Sequence, residues 1–239
     1  MVEVCPRIRA VLFDVGGTLV YEPDFGAWAE QARDLSLDMG PDALSQAYLE
    51  ILMEGDPRNQ ARDAGTAVVD FWRRALSRAT REEVLEATAT RFVVACGGRA
   101  APVQVYADTR PCLNQLRDDR RILGVISNSN SEEVVRFVLG WADILDYFDC
   151  IVSSGSEGVE KPDREIFLRT VRRMGVAPAE AVYVGNKVLT DAAAAQSAGL
   201  YGVWVNREQP TRSKDPPEIA SLLDVPACVQ RIEHRLAIV

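Results

Sequence analysis

The chain has 239 residues, 47% of them hydrophobic and 26% charged, with a formal net charge of −8. This is the composition of a soluble globular protein with a sizeable core, long enough for one large domain or for a core plus an insertion. So acidic a balance excludes a nucleic-acid surface as the main business of the chain, because phosphate backbones select for clustered Lys and Arg.

The start, MVEVCPRIRAVLFD, contains no apolar stretch of signal-peptide length, and no run of about 18 apolar residues appears anywhere. A cytoplasmic protein without a membrane partner is expected. The first short apolar run, residues 8–15, predicts a buried strand that ends in Asp14-Val15-Gly16-Gly17-Thr18. From residue 22 to about 103 the pattern changes to DFGAWAEQARDLSLDMG, PDALSQAYLEILMEG, AGTAVVDFWRRALSRA and REEVLEATATRFVVACG, four amphipathic helices separated by Gly, Pro or Asp. Tyr21, Glu22 and Asp24 open this insertion and read as exposed groups at a hinge.

Alternation then resumes. Helix 109–119 leads to strand 121–127, which ends in Ser127-Asn128; helix 131–142 leads to strand 150–154. GVEKPD, with Lys161, precedes helix 163–175. Strand 181–185 ends in Gly185-Asn186 and is followed, across Asp191, by helix 189–199 and strand 202–205. Residues 206–218 read as a surface connection to a last helix. Strand, helix, strand in this order predicts a doubly wound α/β parallel sheet, residues 1–20 and 104–239, with a small all-helical domain at 21–103 inserted after the first strand.

Five cysteines, at 5, 96, 112, 150 and 228, form no CxxC pair and read as free thiols. His234 is the single histidine and lies outside every motif, so a Ser-His-Asp triad, a Cys-His dyad and a histidine zinc site are all unsupported. Lysine occurs at 161, 187 and 214 only, while arginine is common.

Four segments place chemistry at the ends of strands, where an open α/β sheet presents its ligands: AVLFDVGGTLV at 10–20, GVISNSN at 124–130, GVEKPDREIF at 158–167 and VYVGNKVLTDAAAAQSAGL at 182–200. Taken singly each has a bland reading, such as a serine that caps the next helix or a lysine in solvent. Together they bring a carboxylate, a hydroxyl, a lysine and a second carboxylate to one crevice.

This set resembles the haloacid dehalogenase-like hydrolase superfamily, most of whose members are magnesium-dependent phosphatases, and the resemblance covers essentially the whole chain. It implies Asp14 as the nucleophile that forms an aspartyl-phosphate, with Ser127 and Lys161 stabilising the phosphoryl group. Gly17, Thr18 and Asn128 would bind substrate, and the inserted helices would form a cap that selects it. Mg²⁺ would be held by Asp14, the Gly16 carbonyl, Asn186 and Asp191.

Two positions depart from the phosphatase pattern. Gly16 stands where a second aspartate protonates the leaving group and activates water, and Asn186 replaces a metal-binding aspartate. Asp14, Asp191 and Lys161 then leave a net charge of about −1, so Mg²⁺ is expected to bind weakly. The expected function is a hydrolase, a phosphatase acting on a small phosphorylated metabolite. The alternatives are a catalytically silent descendant that binds a ligand or a protein, and an enzyme attacking carbon in a non-phosphate substrate. A monomer or homodimer without nucleic-acid partners is expected.

Overall fold

Side-chain burial sorts this chain into two kinds of element: strands buried on both faces and helices buried on one. The computed structural model describes residues 7–54, 64–97, 101–208, 211 and 213–237; Cys5 lies outside them. In chain order the elements are β1 (Ala10–Phe13), α1 (Phe25–Arg33), α2 (Pro41–Glu54), α3 (Ala64–Thr80), α4 (Glu86–Cys96), α5 (Thr109–Asp118), β2 (Ile122–Ser127), α6 (Glu132–Trp141), β3 (Cys150–Ser153) and α7 (Ser154–Glu157). They continue with α8 (Arg164–Arg173), β4 (Ala181–Gly185), a π-helical turn (Val188–Ala192), α9 (Ala193–Ser197), β5 (Tyr201–Val205), β6 (Glu218–Ile219) and α10 (Val225–Leu236). Two compact units result. One holds the chain to Tyr21, Val105–Arg136 and everything from Ile144; the other holds Glu22–Gln104 and Phe137–Asp143.

The first unit is an α/β fold around a six-stranded sheet of order β3-β2-β1-β4-β5-β6. Every pairing is parallel. β1, β3 and β4 are buried along their whole length, which is why they read as unbroken apolar runs rather than alternating ones. Phe13 sits in register between Val125 and Val184, so the carboxyl ends of β1, β2 and β4 finish side by side. The strand order reverses at β1, with β2 on one side and β4 on the other, and that reversal opens a crevice beyond the strand ends.

Helix α8 shows how the flanking layer is fixed. Asp163 caps it by accepting the Glu165 N–H at 2.9 Å, and Ile166, Phe167, Thr170 and Val171 form its buried stripe. At the opposite end of the sheet, buried Arg121 makes a two-pronged ion pair with Glu233 of α10 at 2.8 and 3.0 Å and donates to the Ile8 carbonyl. Glu233 also accepts the Ile8 N–H, so the last helix is tied to the start of β1.

Two elements differ from the sequence reading. The stretch 206–218, read as a connection, ends in a two-residue edge strand, β6, held by Trp204 and Val205. The helix read over 189–199 begins as a π turn, because the wider turn lets the Asp191 carboxylate fold back onto the loop that precedes it.

Among the described residues, every element of the second unit is a helix. Helix α2 buries Leu44, Ala47, Tyr48, Ile51 and Leu52, the spacing of one helical face. Fully buried Trp72 is its centre, with Trp28, Phe71 and Phe92 rings at 4.8, 5.5 and 4.9 Å. Val138 and Trp141 join this cluster, and the Trp141 indole donates to the Leu52 carbonyl at 3.1 Å. Asp24 is the N-cap of α1, accepting the Ala27 N–H at 2.9 Å, so its carboxylate has a helix-capping job.

Candidate active site

Asp14 follows the last residue of β1 and is buried, and its two oxygens have different partners. Oδ1 accepts from the Lys161 ammonium at 2.7 Å, while Oδ2 accepts from the Thr18 hydroxyl at 3.3 Å. Lys161 bridges on to Asp191 Oδ1, again at 2.7 Å. Its third contact is the Tyr183 phenol at 2.8 Å, and that phenol donates in turn to the Ile126 carbonyl at 3.0 Å. A lysine ammonium has three N–H donors, and here protein takes all of them.

Burial pushes the Asp14 carboxyl above its usual range; the Lys161 charge opposes this and the Asp191 charge adds to it. For Lys161, burial alone would lower the ammonium, but the charges of Asp14 and Asp191 outweigh it and the net direction is upward. Burial, followed by the same two carboxylates, drives the Tyr183 phenol well above its ordinary value. The network joins the side chains of two aspartates, one lysine and a phenol whose burial disfavours its ionised form. With Lys161 4% exposed and Asp191 1% exposed, such a network is stable only because nearly every polar atom in it is paired.

The surrounding backbone is shaped to this network. Asn128 clamps Lys161 through two main-chain bonds, its amide nitrogen to the Lys161 carbonyl and its amide oxygen from the Lys161 N–H, each at 2.9 Å. Asp191 Oδ2 accepts the Lys187 N–H at 2.9 Å. A Cβ on Gly185 would lie 2.5 Å from the Asp191 side chain, so only glycine lets that carboxylate come so close. Gly17 adopts φ +74°, and a Cβ there would lie 2.0 Å from the Asn186 amide nitrogen. Asn186 thus rests on the turn that follows Asp14.

Of the residues singled out from the sequence, Asp14, Thr18, Lys161 and Asp191 form one bonded cluster, Asn128 grips Lys161 and Asn186 lies against Gly17. Ser127 is half-buried at the end of β2, in register with Ser153 and one residue beyond the level of Asp14. Tyr183 and Arg207 escaped the sequence reading. Arg207 stacks on Tyr106 at 3.7 Å, pairs with Asp108 at 2.8 and 3.1 Å and donates to the Thr18 carbonyl at 2.8 Å, bracing the turn behind Asp14. Tyr21 packs on the same Tyr106 ring at 3.8 Å.

Among the described residues no group of three or more His, Cys, Asp and Glu side chains is placed to hold a metal ion. The donor set near Asp14 is nevertheless one a divalent cation can use. Asn186 Oδ1 is buried without a hydrogen-bond partner, an acceptor whose desolvation only a ligand or water would offset, and it accompanies the carboxylates of Asp14 and Asp191.

The model of the haloacid dehalogenase-like hydrolases matches residues 8–199, which spans every residue of this cluster. The chain belongs to that family of hydrolases. It is 31% identical to the glyceraldehyde 3-phosphate phosphatase of Methanopyrus kandleri over 91% of this chain and 97% of that protein. A protein of the same description from Methanothermobacter thermautotrophicus is 30% identical over 88% of this chain and 91% of its own length. Among solved structures, a HAD phosphatase from Thermococcus onnurineus superposes with a TM-score of 0.57 at 26% identity, covering 92% of this chain and 97% of that one. The family fold is the doubly wound sheet described above. No described helix is long and apolar enough to cross a membrane.

Proposed function

We propose that this chain hydrolyses a small phosphorylated metabolite, with Asp14 as the nucleophile. The observation that carries the proposal is the setting of Asp14: a buried carboxylate at the end of the central strand, paired with the Lys161 ammonium at 2.7 Å. Burial makes it more basic, and a more basic carboxylate is a better nucleophile as long as it stays charged. Relatives described as glyceraldehyde 3-phosphate phosphatases over most of their length support the substrate class.

Asp14 Oδ2, whose bond to the Thr18 hydroxyl is the longer of the carboxylate's two side-chain bonds, attacks phosphorus. The ester oxygen leaves with its electron pair and takes a proton from solvent, since Gly16 has no side chain to supply one. Water then attacks the phosphorus of the aspartyl-phosphate, and inorganic phosphate departs as Asp14 is regenerated. Lys161 keeps Asp14 and Asp191 close together by neutralising half of their charge. Ser127 and the backbone N–H groups of the turn at Gly17 and Thr18 offer hydrogen bonds to phosphoryl oxygens. Asp14, Asp191, the Asn186 amide oxygen and the Gly16 carbonyl would hold Mg²⁺, which supplies charge neutralisation to the phosphoryl group when bound. The helical unit at 22–104 is the cap of this scheme and would set substrate choice.

Gly16 and Asn186 equally favour a second reading, a silent member of the family that binds a ligand without turning it over. Assay of the purified protein on a panel of phosphate esters, with and without Mg²⁺, separates the two. The hydrolase reading expects slow turnover, best with activated esters, and its loss in Asp14→Asn with the fold retained. No turnover of any ester would favour the silent binder.

A further inference from the structure

We infer that the cavity beside the edge strand β3 binds a small organic carboxylate with an apolar body, at a site separate from Asp14. The inference does not depend on the hydrolase reading. The cavity holds about 370 Å³, within the roughly 300–1,000 Å³ of ordinary ligand pockets. β3 is an outermost strand of the sheet, and the cavity is lined where Ile122 and Cys150 begin β2 and β3. Ser127 ends β2, about 17 Å further along an extended chain. The cavity therefore lies at the amino ends of the strands, and the Asp14 cluster at the carboxyl ends.

Its lining divides by chemistry. Ile122, Ile151 and Met174 form an apolar floor, and Ile122 and Met174 are only half-buried, which leaves apolar surface for a ligand to cover. Arg136 of α6 and Arg173 at the end of α8 supply the cations. Burial raises the Cys150 thiol in this cavity, and the charges of Arg173 and Arg136 oppose that rise, so both guanidinium groups lie within electrostatic reach of it.

Unused hydrogen-bond donors distinguish this lining from an ordinary charged surface. Arg173 has one ionic contact, Glu157 at 3.7 Å, too long for a hydrogen bond, and it donates to none of the described residues. Arg136 directs Nε and Nη2 to Glu132 Oε1 at 2.9 and 2.7 Å, which leaves Nη1 without a bond among the described residues. The acids, by contrast, are engaged. Glu132 holds Arg136, and Asp149 accepts from Arg117 at 3.1 Å and from the Leu123 N–H at 2.9 Å. A ligand that completes this lining brings acceptor oxygens, and a guanidinium fork matches a carboxylate. Two arginines against Glu132 and Asp149 leave the lining neutral, so it takes the single charge of a carboxylate more readily than the double charge of a phosphate.

Isothermal titration of the full chain with sodium hexanoate tests this, with hexanol as the uncharged probe and inorganic phosphate as the anion without an apolar body. Hexanoate should bind in the millimolar range, and the other two at least about tenfold more weakly, since each lacks half of what the lining offers. Arg173→Ala should weaken hexanoate on the order of tenfold, as loss of one charge-assisted pair would. Arg173→Lys should fall between the two, because the charge stays and the fork is lost. Ile122→Trp, which fills the floor with a larger ring, should abolish binding. Circular dichroism establishes that each variant is folded. Absence of hexanoate binding, hexanol or phosphate binding as tightly as hexanoate, or an Arg173→Ala protein with wild-type affinity overturns the inference. So does unchanged binding in a folded Ile122→Trp protein, which would put the probe elsewhere on the chain.

Discussion

Tyr183 sits in the middle of a strand whose every residue is buried, and from sequence it is one more core aromatic. Its ring is packed edge-on against Phe167 at 5.0 Å while its hydroxyl holds Lys161, so the residue joins the apolar core to the charged cluster. Tyr183→Phe removes a partner from a buried ammonium and should cost about 1–3 kcal/mol of stability, read from urea unfolding; an unchanged midpoint would show that the bond carries nothing. Gly17→Ala places a side chain at φ +74° against the Asn186 amide, and should cost about 1–3 kcal/mol or more. Asp14, Lys161 and Asp191 were legible in the sequence because four motifs in one order, bland when taken singly, together resemble one family's pattern. Asn128 was legible as a position, but not for the two side-chain bonds that clamp Lys161. Such bonds depend on how two loops distant in sequence meet, which no local pattern records.

Elements follow the same division. Strands buried on both faces and one-sided helices announce themselves by period, and the alternation from 109 to 205 was readable for that reason. β6 was not, because two residues carry no periodicity. What holds its segment is Glu218, whose carboxylate accepts from the Thr211 and Ser213 N–H groups at 2.8 and 2.7 Å and from Asn206 at 2.7 Å. Burial acts to raise the Glu218 carboxyl, but these accepted hydrogen bonds win and bring it from its ordinary 4.5 down to about 2. A carboxyl depressed by folding contributes stability that is complete above its unfolded value and is lost as pH falls through the folded one. The stability difference between the wild type and Glu218→Gln should therefore be full above about 4.5 and shrink toward about 2; urea midpoints measured across that range check it, and a pH-independent difference would contradict it. The tie between α10 and the sheet is testable separately. Glu233→Ala leaves the buried Arg121 guanidinium without its carboxylate and should destabilise by about 3 kcal/mol.

For the whole molecule, topology does most of the positioning: the reversal of strand order at β1 is what gathers residues 14, 127, 161 and 191 from four separate segments at one end of the sheet. The sequence motifs anticipated that gathering. They did not show that Lys161 would be fully occupied by protein, since the saturating partner, Tyr183, reads as core. The two departures, Gly16 and Asn186, can be reversed. Gly16 is not among the glycines with positive φ, so its backbone conformation does not by itself bar a side chain. The Gly16→Asp, Asn186→Asp double variant should bind Mg²⁺ more tightly and hydrolyse a simple phosphate ester at least about tenfold faster, the low end of what acid–base catalysis supplies. A folded double variant that gains metal but no turnover would argue for a site shaped to another reaction. The central claim is that phosphate is transferred to Asp14, and because Gly16 leaves the second step without a side-chain base, the phosphorylated protein should accumulate. Acid-quenched wild type taken during turnover of an activated phosphate ester, digested and analysed by mass spectrometry, should carry a hydroxylamine-labile phosphate on the peptide containing Asp14. Steady turnover with that peptide unmodified at every quench time would contradict the account.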